Sequence, residues 1–355
     1  MKVKIGDITK IRTGKLDANA SSENGKYPFF TCSREPLRIS TYSYDCECVL
    51  VAGNGDLNVK YYNGKFDAYQ RTYIIEDNSN GKLYMPYLYY FMSGYIEELR
   101  KQAIGGVIKY IKLGNLTEAL IVLPSINEQK VIVDILEKAK IILDLYKCEM
   151  DELNNLIKAR FVEMFGDPVD NPMGWKKKQL QDIVSDDCTI SYGIVQTGDD
   201  QTEGVPVFRP VDIVSRVPKL EWLKKTTETI SNKYKRTILK GHEMLITVRA
   251  NIADTCIVGE EFKGCNVGRG IVPIRTREDI MHLNFLKHLI DSKHLNDEIK
   301  SKAKGITLIQ LNMEDLREVE LIVPPIVLQK AFVEVANQVT KSKLPLIKQS
   351  TLQNI

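Results

Sequence analysis

Leu123-Pro124-Ser125-Ile126-Asn127-Glu128-Gln129-Lys130 returns two hundred residues later as Val323-Pro324-Pro325-Ile326-Val327-Leu328-Gln329-Lys330. Outward from that pair, with no gap, Ala103 meets Ala303, Gly105 meets Gly305, Leu116 meets Leu316, Glu118 meets Glu318 and Val133 meets Val333. Apolar character persists where identity fails, as in Ile108/Leu308, Ile111/Leu311, Leu113/Met313, Ile121/Leu321 and Val122/Ile322. Self-similarity at one fixed period marks a chain built from repeated units. The openings correspond more loosely, Lys4-Ile5-Gly6-Asp7-Ile8 with Gln179-Leu180-Gln181-Asp182-Ile183. The middles, 20–95 and 190–290, show no convincing alignment. Shared ends with divergent middles read as one scaffold carrying two different surfaces.

A long helix follows the first copy. Ser125 can cap it, and Glu128 three residues on completes a capping box. From Ile126 to Phe165 there is neither Pro nor Gly, and Gly166 and Pro168 supply the stop. Forty residues at helical rise span roughly 60 Å. Ile132, Ile135, Ala139, Ile142, Tyr146, Met150, Leu153, Ile157, Phe161 and Met164 fall at three-and-four spacing, the pattern of a coiled-coil seam. Leu328, Phe332, Val335, Val339 and Leu346 continue that spacing after the second copy. The two helices are expected to pair antiparallel, with the copies at opposite ends. Pro345 is expected to kink or end the second helix.

Both copies show short β-like runs broken by Gly and Asn turns: 27–31, 48–52 and 71–75 in the first, 205–208, 244–248 and 270–274 in the second. Helical stretches follow at about 85–101 and 281–302. The fold class is therefore α+β, two similar globular domains separated by long antiparallel coiled-coil-like helices. The expected boundaries are 1–124, 125–168 for the central helix, 169–323, and 324–355 for the distal helix.

The 355 residues carry a formal net charge of +3 and 7 scattered cysteines, which reads as a cytoplasmic protein with reduced thiols. No apolar run suits a signal peptide or a membrane span. Sites for chemistry are scarce. Val49-Leu50-Val51-Ala52-Gly53-Asn54-Gly55-Asp56 resembles a strand entering a nucleotide loop, but 57–64 reads as a hairpin, with no helix to take a phosphate. Asp254, Glu261 and Lys263 mimic a metal-dependent nuclease, although Gly259 implies a turn between the carboxylates. His288 and His294 lack ligand spacing with a cysteine pair, and Cys46 and Cys48 are read as facing opposite sides of a strand, so no metal site is expected. There is no P-loop and no Asn-Pro-Pro-aromatic or Asp-Pro-Pro-aromatic tetrapeptide of an amino-methyltransferase.

Polar residues at turns point instead to nucleic acid. Arginine pairs with guanine edges, and asparagine or glutamine with adenine edges. The candidates are Lys15, Arg34, Asn54, Lys60 and Arg71 in the first copy, and Gln196, Arg209, Arg249, Asn251 and Arg269 in the second. Lys224, Lys225, Lys233, Lys235 and Arg236 would suit phosphates. The alternatives are a DNA-acting enzyme, either that nuclease or a stand-alone methyltransferase, and a coiled-coil adaptor without sequence specificity.

Leu123 to Lys130 with its long helix, Ala159-Arg160-Phe161-Val162-Glu163-Met164-Phe165-Gly166-Asp167-Pro168, Trp175, the 192–198 loop, Asn266 to Gly270 and Leu321 to Lys330 together resemble the specificity subunits of type I restriction–modification systems. The resemblance covers nearly the whole chain. It implies two target recognition domains, each reading half of a bipartite site on double-stranded DNA, with the helices as a ruler between them. It further implies separate modification subunits that use S-adenosylmethionine and restriction subunits that use ATP and Mg. This chain would then hold no catalytic residue and no cofactor.

Overall fold

The structure is a computed structural model that describes residues 2–213, 219–305 and 309–351, with side chains through Ser342. Leu308 and the side chains of Pro345 and Leu346 lie outside the described residues. The chain divides into two compact units, Met1–Leu145 and Tyr146–Ile355.

The first unit comprises β1 (Lys2–Lys4), α1 (Ile5–Ile8), β2 (Thr9–Thr13), β3 (Tyr27–Phe30), β4 (Leu37–Ile39), β5 (Tyr44–Ala52), β6 (Val59–Ala68), β7 (Thr72–Asp77), α2 (Met85–Gln102), α3 (Leu113–Thr117), β8 (Leu120–Val122) and the first half of α4 (Ile126–Phe165). Six strands form one sheet, in the order β2-β7-β5-β6-β3-β4. Side chains alternate across a strand, so β5 sends Val49 and Val51 into a core with Leu88, Met92, Ile96 and Leu99 of α2. The same strand sends Cys48 and Leu50 into a second core with Phe30, Phe66 and Ile74 on the opposite face. This corrects the expectation for Cys46 and Cys48. Residues two apart on a strand share a face, and Cys46 packs against the cluster that buries Cys48.

The second unit continues with the rest of α4, then β9 (Lys177–Gln179), β10 (Val205–Phe208), α5 (Pro210–Ile213), β11 (Lys224–Thr226), α6 (Glu228–Asn232), β12 (Glu243–Thr247), β13 (Thr255–Val258), β14 (Asn266–Val267), β15 (Ile271–Ile274), α7 (Leu283–Ile290), α8 (Lys293–Ser301), α9 (Met313–Arg317), β16 (Glu320–Ile322) and α10 (Ile326–Thr351). Its main core joins Ile157, Phe161 and Phe165 of α4 to Phe285 of α7 and to Phe332, Val333 and Ala336 of α10. The Phe161 and Phe332 rings stand 5.4 Å apart. The single helix expected over 281–302 is two, because the turn at Asp291 and Ser292 separates them. α10 runs through Pro345 to Thr351, so of the two effects expected of that proline, a kink or an end, the helix does not end there. One proline removes one backbone bond, and the turns on either side carry the helix past it.

The repeat identities lie where each unit closes on itself. β1 pairs antiparallel with β8, Val3 opposite Ile121, and β9 pairs with β16, Lys178 opposite Leu321. Behind each pair, Ile5 N–H donates to the Ala119 carbonyl and Leu180 N–H to that of Val319, both at 2.9 Å. Leu116 and Leu316, Ile121 and Leu321, and Val133 and Val333 are all buried. Gly105 and Gly305 hold φ of +120° and +123°, which a side chain rarely permits.

Gln129 and Gln329 are the most consequential identities. Both are fully buried. Gln129 Nε2 donates to the carbonyls of Lys82 (2.8 Å) and Pro124 (3.0 Å), while Oε1 accepts the Tyr84 N–H at 2.8 Å. Gln329 Nε2 donates to Ile280 (3.0 Å) and Pro324 (2.8 Å), and its Oε1 accepts the His282 N–H at 2.9 Å. Each amide thus locks the start of a long helix to the segment entering the domain helix, α2 or α7. The capping box expected at Ser125 and Glu128 forms beside the first clamp, with Ser125 N–H and Oγ both donating to Glu128 Oε2.

Candidate nucleic-acid interface

The middles, unalignable as sequence, share one backbone plan. β3 runs parallel to the end of β6, with Phe30 opposite Ala68; β10 runs parallel to β14, with Phe208 opposite Val267. β5 pairs with β7, Ala52 opposite Thr72, as β12 pairs with β15, Thr247 opposite Ile271. The bridge from Leu16 to Tyr69 matches that from Ile194 to Gly268. One difference is local: the continuous β6 is replaced by β13 and β14, parted by the turn at Glu260–Phe262 between Gly259 and Gly264.

In the first unit these strands frame an open cleft of about 560 Å³, lined by Thr13, Gly14, Lys15, Gly53, Gln70, Arg71, Tyr73 and Ile111. Its floor is backbone. Gly14 N–H donates to the Thr72 carbonyl at 3.0 Å, and Gly53 N–H donates to that of Arg71 at 2.8 Å. A Cβ on Gly14 would fall 2.1 Å from the Ala68 carbonyl oxygen, so only glycine admits this approach. In the second unit a Cβ on Gly193 would likewise fall 1.8 Å from the Val267 carbonyl oxygen.

The structure brings some candidates together and not others. Lys15 and Arg71 line the cleft, and Asn54 follows Gly53 on its rim. Lys15, Arg71 and Arg269 are exposed and, among the described residues, donate no side-chain hydrogen bond. Arg34 is spent on Asp56, Nε to Oδ2 at 2.8 Å, and Arg100 holds the other oxygen of that carboxylate at 3.1 Å. These bonds, Arg34 first, hold the Asp56 carboxyl below its ordinary range. Lys60 is half-buried and donates to Asn58, and burial pushes its ammonium down. Arg209 is chelated by Asp212, with Nη2 to Oδ1 at 2.7 Å and Nε to Oδ2 at 3.0 Å. Arg249 donates to Gln310 Oε1, while Asn251 and Gln196 are exposed in loops.

On the spacer helices, Ile157 and Phe332 are buried, and Ile132, Tyr146, Leu153, Val335 and Val339 are half-buried. Ile135 and Ile142 face solvent, 59% and 48% exposed. The covered stripe of α4 keeps Ala139 and Met150 as expected and takes in Leu143.

The nuclease-like set is not assembled. Lys263 pairs with Glu260 at 2.8 Å, and Asp254 lines a separate hollow with Thr255, Asp291 and Asn296. Asp167, Asp170 and His294, none named as ligands from sequence, do come together, with donor atoms within 4.8 Å of one another. Asp167 is occupied there, because Oδ1 accepts the N–H groups of Val169 (2.9 Å) and Asp170 (3.2 Å) and Oδ2 pairs with His294. The group closes the turn after α4. No helix among the described residues is long and apolar enough to cross a membrane. Sequence reasoning missed Gln70 in the cleft and the roles of Gln129 and Gln329. The two clamp residues were visible as repeat identities. Gln70 carried no such signal.

Comparison with known proteins extends this picture. The family model for the type I restriction modification DNA specificity domain matches residues 1–155 and again 172–354. Among curated relatives, the type I restriction enzyme EcoDI specificity subunit of Escherichia coli is 37% identical over 156 residues, 44% of this chain and 34% of that protein. The EcoBI specificity subunit of the same organism is 22% identical over 303 residues, 79% of this chain and 64% of that one. These matches therefore span less than two thirds of either relative. A solved type I restriction–modification S subunit from M. genitalium has the same fold, with a TM-score of 0.61 at 15% identity over 99% of this chain and 92% of that one. A chain from a structure of type I R-M complex assembly and conformational transition superposes with a TM-score of 0.54 at 17% identity, covering 99% and 93%.

Proposed function

Because this chain belongs to the type I restriction–modification DNA specificity family, we propose that it is the sequence-reading subunit of a type I restriction–modification complex and carries out no chemistry itself. One observation carries this reading. Two units share a backbone plan down to the buried glutamine clamp, yet expose different arginine and amide side chains at matching places. A scaffold used twice with its polar surface changed is what reading two DNA half-sites requires. Residues 1–124 and 169–323 act as the target recognition domains. The helices 125–168 and 324–355, paired antiparallel, set the distance between half-sites, as spacing follows protein geometry in other readers.

The partners are double-stranded DNA, modification subunits bringing S-adenosylmethionine, and restriction subunits using ATP and Mg, in the cytoplasm. Lys263 is paired with Glu260, and Asp254 lines a hollow with Thr255, Asp291 and Asn296, which weighs against the nuclease alternative built on those residues. Base-resolution methylation mapping in cells carrying this chain with a cognate modification subunit tests the proposal. A two-part motif with an unspecified gap is expected; a continuous motif, or methylation independent of sequence, overturns it. Seven residues inserted near Lys140 should lengthen the gap and leave both half-motifs intact.

A further inference from the structure

Building on that reading, we propose that Gln70 and Arg269 occupy one equivalent base-reading position in the two units. Their difference makes one half-site require adenine, and the other guanine, at the matching place.

The equivalence is read atom by atom. Asp67 and Asn266 are buried, and each accepts the next residue's N–H on its own Oδ1, from Ala68 at 3.1 Å and from Val267 at 2.9 Å. Tyr69 N–H donates to the Phe30 carbonyl and Gly268 N–H to that of Phe208, both at 2.9 Å. Thr72 N–H returns to the Tyr69 carbonyl at 2.8 Å, and Ile271 N–H to that of Gly268 at 3.1 Å. Beyond the tip, Gly53 N–H donates to the Arg71 carbonyl and Val248 N–H to that of Gly270, both at 2.8 Å. Two residues stand between these anchors in each unit, Gln70-Arg71 and Arg269-Gly270.

A second pair sits beside each tip. Asn54 bridges to Tyr110 and Arg249 to Gln310, and the next residues hold matching positive φ, +68° at Gly55 and +60° at Ala250.

The anchors decide which side chains can read. Asp67 and Asn266 are buried and occupied, Asp67 by the Ala68 N–H and the Ser43 hydroxyl and Asn266 by the Val267 N–H, the Thr237 hydroxyl and Ser231, so neither meets a ligand. Gln70 and Arg269 are exposed at the tips. Arg269 keeps its whole guanidinium fork free, since among the described residues it makes no side-chain bond. A free fork matches the two acceptors of guanine. Gln70 gives one Nε2 hydrogen to Asp17 Oδ1 at 2.8 Å and keeps the other, with Oε1 open. That remaining donor and acceptor match the edge of adenine. Lys15 and Arg71 flank Gln70 in the cleft and suit the phosphates beside it.

The experiment uses the full chain assembled with its modification subunits. The methylation map supplies the motif, and labelled duplexes carry every single-base change in both half-sites. The wild-type complex should lose roughly 5- to 150-fold in affinity when one guanine of one half-site becomes adenine. Arg269→Gln should abolish or invert that preference at that position alone, and Gln70→Arg should move one adenine preference in the other half-site toward guanine. Three outcomes overturn the inference: unchanged preferences, both variants altering the same half-site, or uniform weakening with a shallower salt dependence, which marks a phosphate contact. A wild-type complex without a two-part motif would instead sink the reading on which this inference rests.

Discussion

The two units bury one matching pair of positions in opposite ways. In the second, Glu243 at the start of β12 is fully buried and meets Arg275, just past β15, with Nη1 to Oε1 at 3.0 Å. Lys240 N–H donates to the same oxygen at 2.6 Å. By the strand register, the equivalent positions in the first unit are Cys48 and Glu76. There the buried partner is a thiol, which burial pushes well above its ordinary range, and Glu76 turns to Arg12 at 2.8 Å. A neutral core position and a charged one thus serve the same place in two matching sheets. The backbone plan is set by strand pairing and by the clamp, and the core beneath the reading surface is free to vary if every buried charge is answered.

The strongest way to break that comparison is to leave one charge unanswered. Arg275→Ala strands Glu243 in the core and removes the bond from Arg275 Nη2 to the Asp187 carbonyl, 2.6 Å long. A loss of about 3–5 kcal/mol is expected for the second unit. Both tryptophans of the chain, Trp175 and Trp222, lie in that unit, so urea unfolding followed by their fluorescence reports it selectively. Cys48→Ala in the first unit should leave that transition where it was. A mild effect of Arg275→Ala would mean that Glu243 reaches water, and the contrast drawn between the cores would fail.

The clamp tests the opposite half of the comparison, its sameness. Gln129→Ala leaves the Tyr84 N–H and the Lys82 and Pro124 carbonyls without their partner, and Gln329→Ala does the same to His282, Ile280 and Pro324. Each should cost about 2–4 kcal/mol in its own unit. Amide exchange should accelerate in β5 to β7 for the first variant and in β12 to β15 for the second. Two similar losses confirm a shared device. A loss in one unit alone would show that the repeat kept the residue without keeping its work.

The residues that close the repeat were legible in sequence because closure demands identity. A buried glutamine with three bonds, or a glycine at φ near +120°, has few substitutes. The middles were illegible because the register drifts. Gln179 stands 175 positions after Lys4, Phe208 178 after Phe30, Thr247 195 after Ala52, Asn266 199 after Asp67, and Gly305 200 after Gly105. Most of the added length falls between β10 and β12, where no identity marks the insertion. Strands are held by backbone bonds that any side chain can accompany, so the pairing survives while the letters change. The candidate site was half legible for the same reason. Arg71 and Arg269 stood out as arginines in turns, but Gln70, without charge, stood out only once its loop was laid on the other. Arg34 and Arg209 looked equally available, and their carboxylate partners Asp56 and Asp212 became visible only with the fold.

The smallest expected effect gives the sharpest test of that correspondence. Gly55 and Ala250 occupy the same place after β5 and β12, with φ of +68° and +60°. Both are exposed, and a Cβ on Gly55 would touch nothing within 4 Å. Packing therefore drops out, and only the backbone cost remains. A left-handed conformation costs an L-residue roughly 1–2 kcal/mol that glycine does not incur. Glycine gives back about 0.5–1 kcal/mol through its freer unfolded chain. Gly55→Ala should then destabilise the first unit by up to about 1 kcal/mol, and Ala250→Gly should stabilise the second by a similar amount. Opposite signs of matched size mean that the two turns are one structure with different letters. If Ala250→Gly is destabilising instead, the alanine is not strained there, the turns are not equivalent, and pairing Asn54 with Arg249 loses its footing.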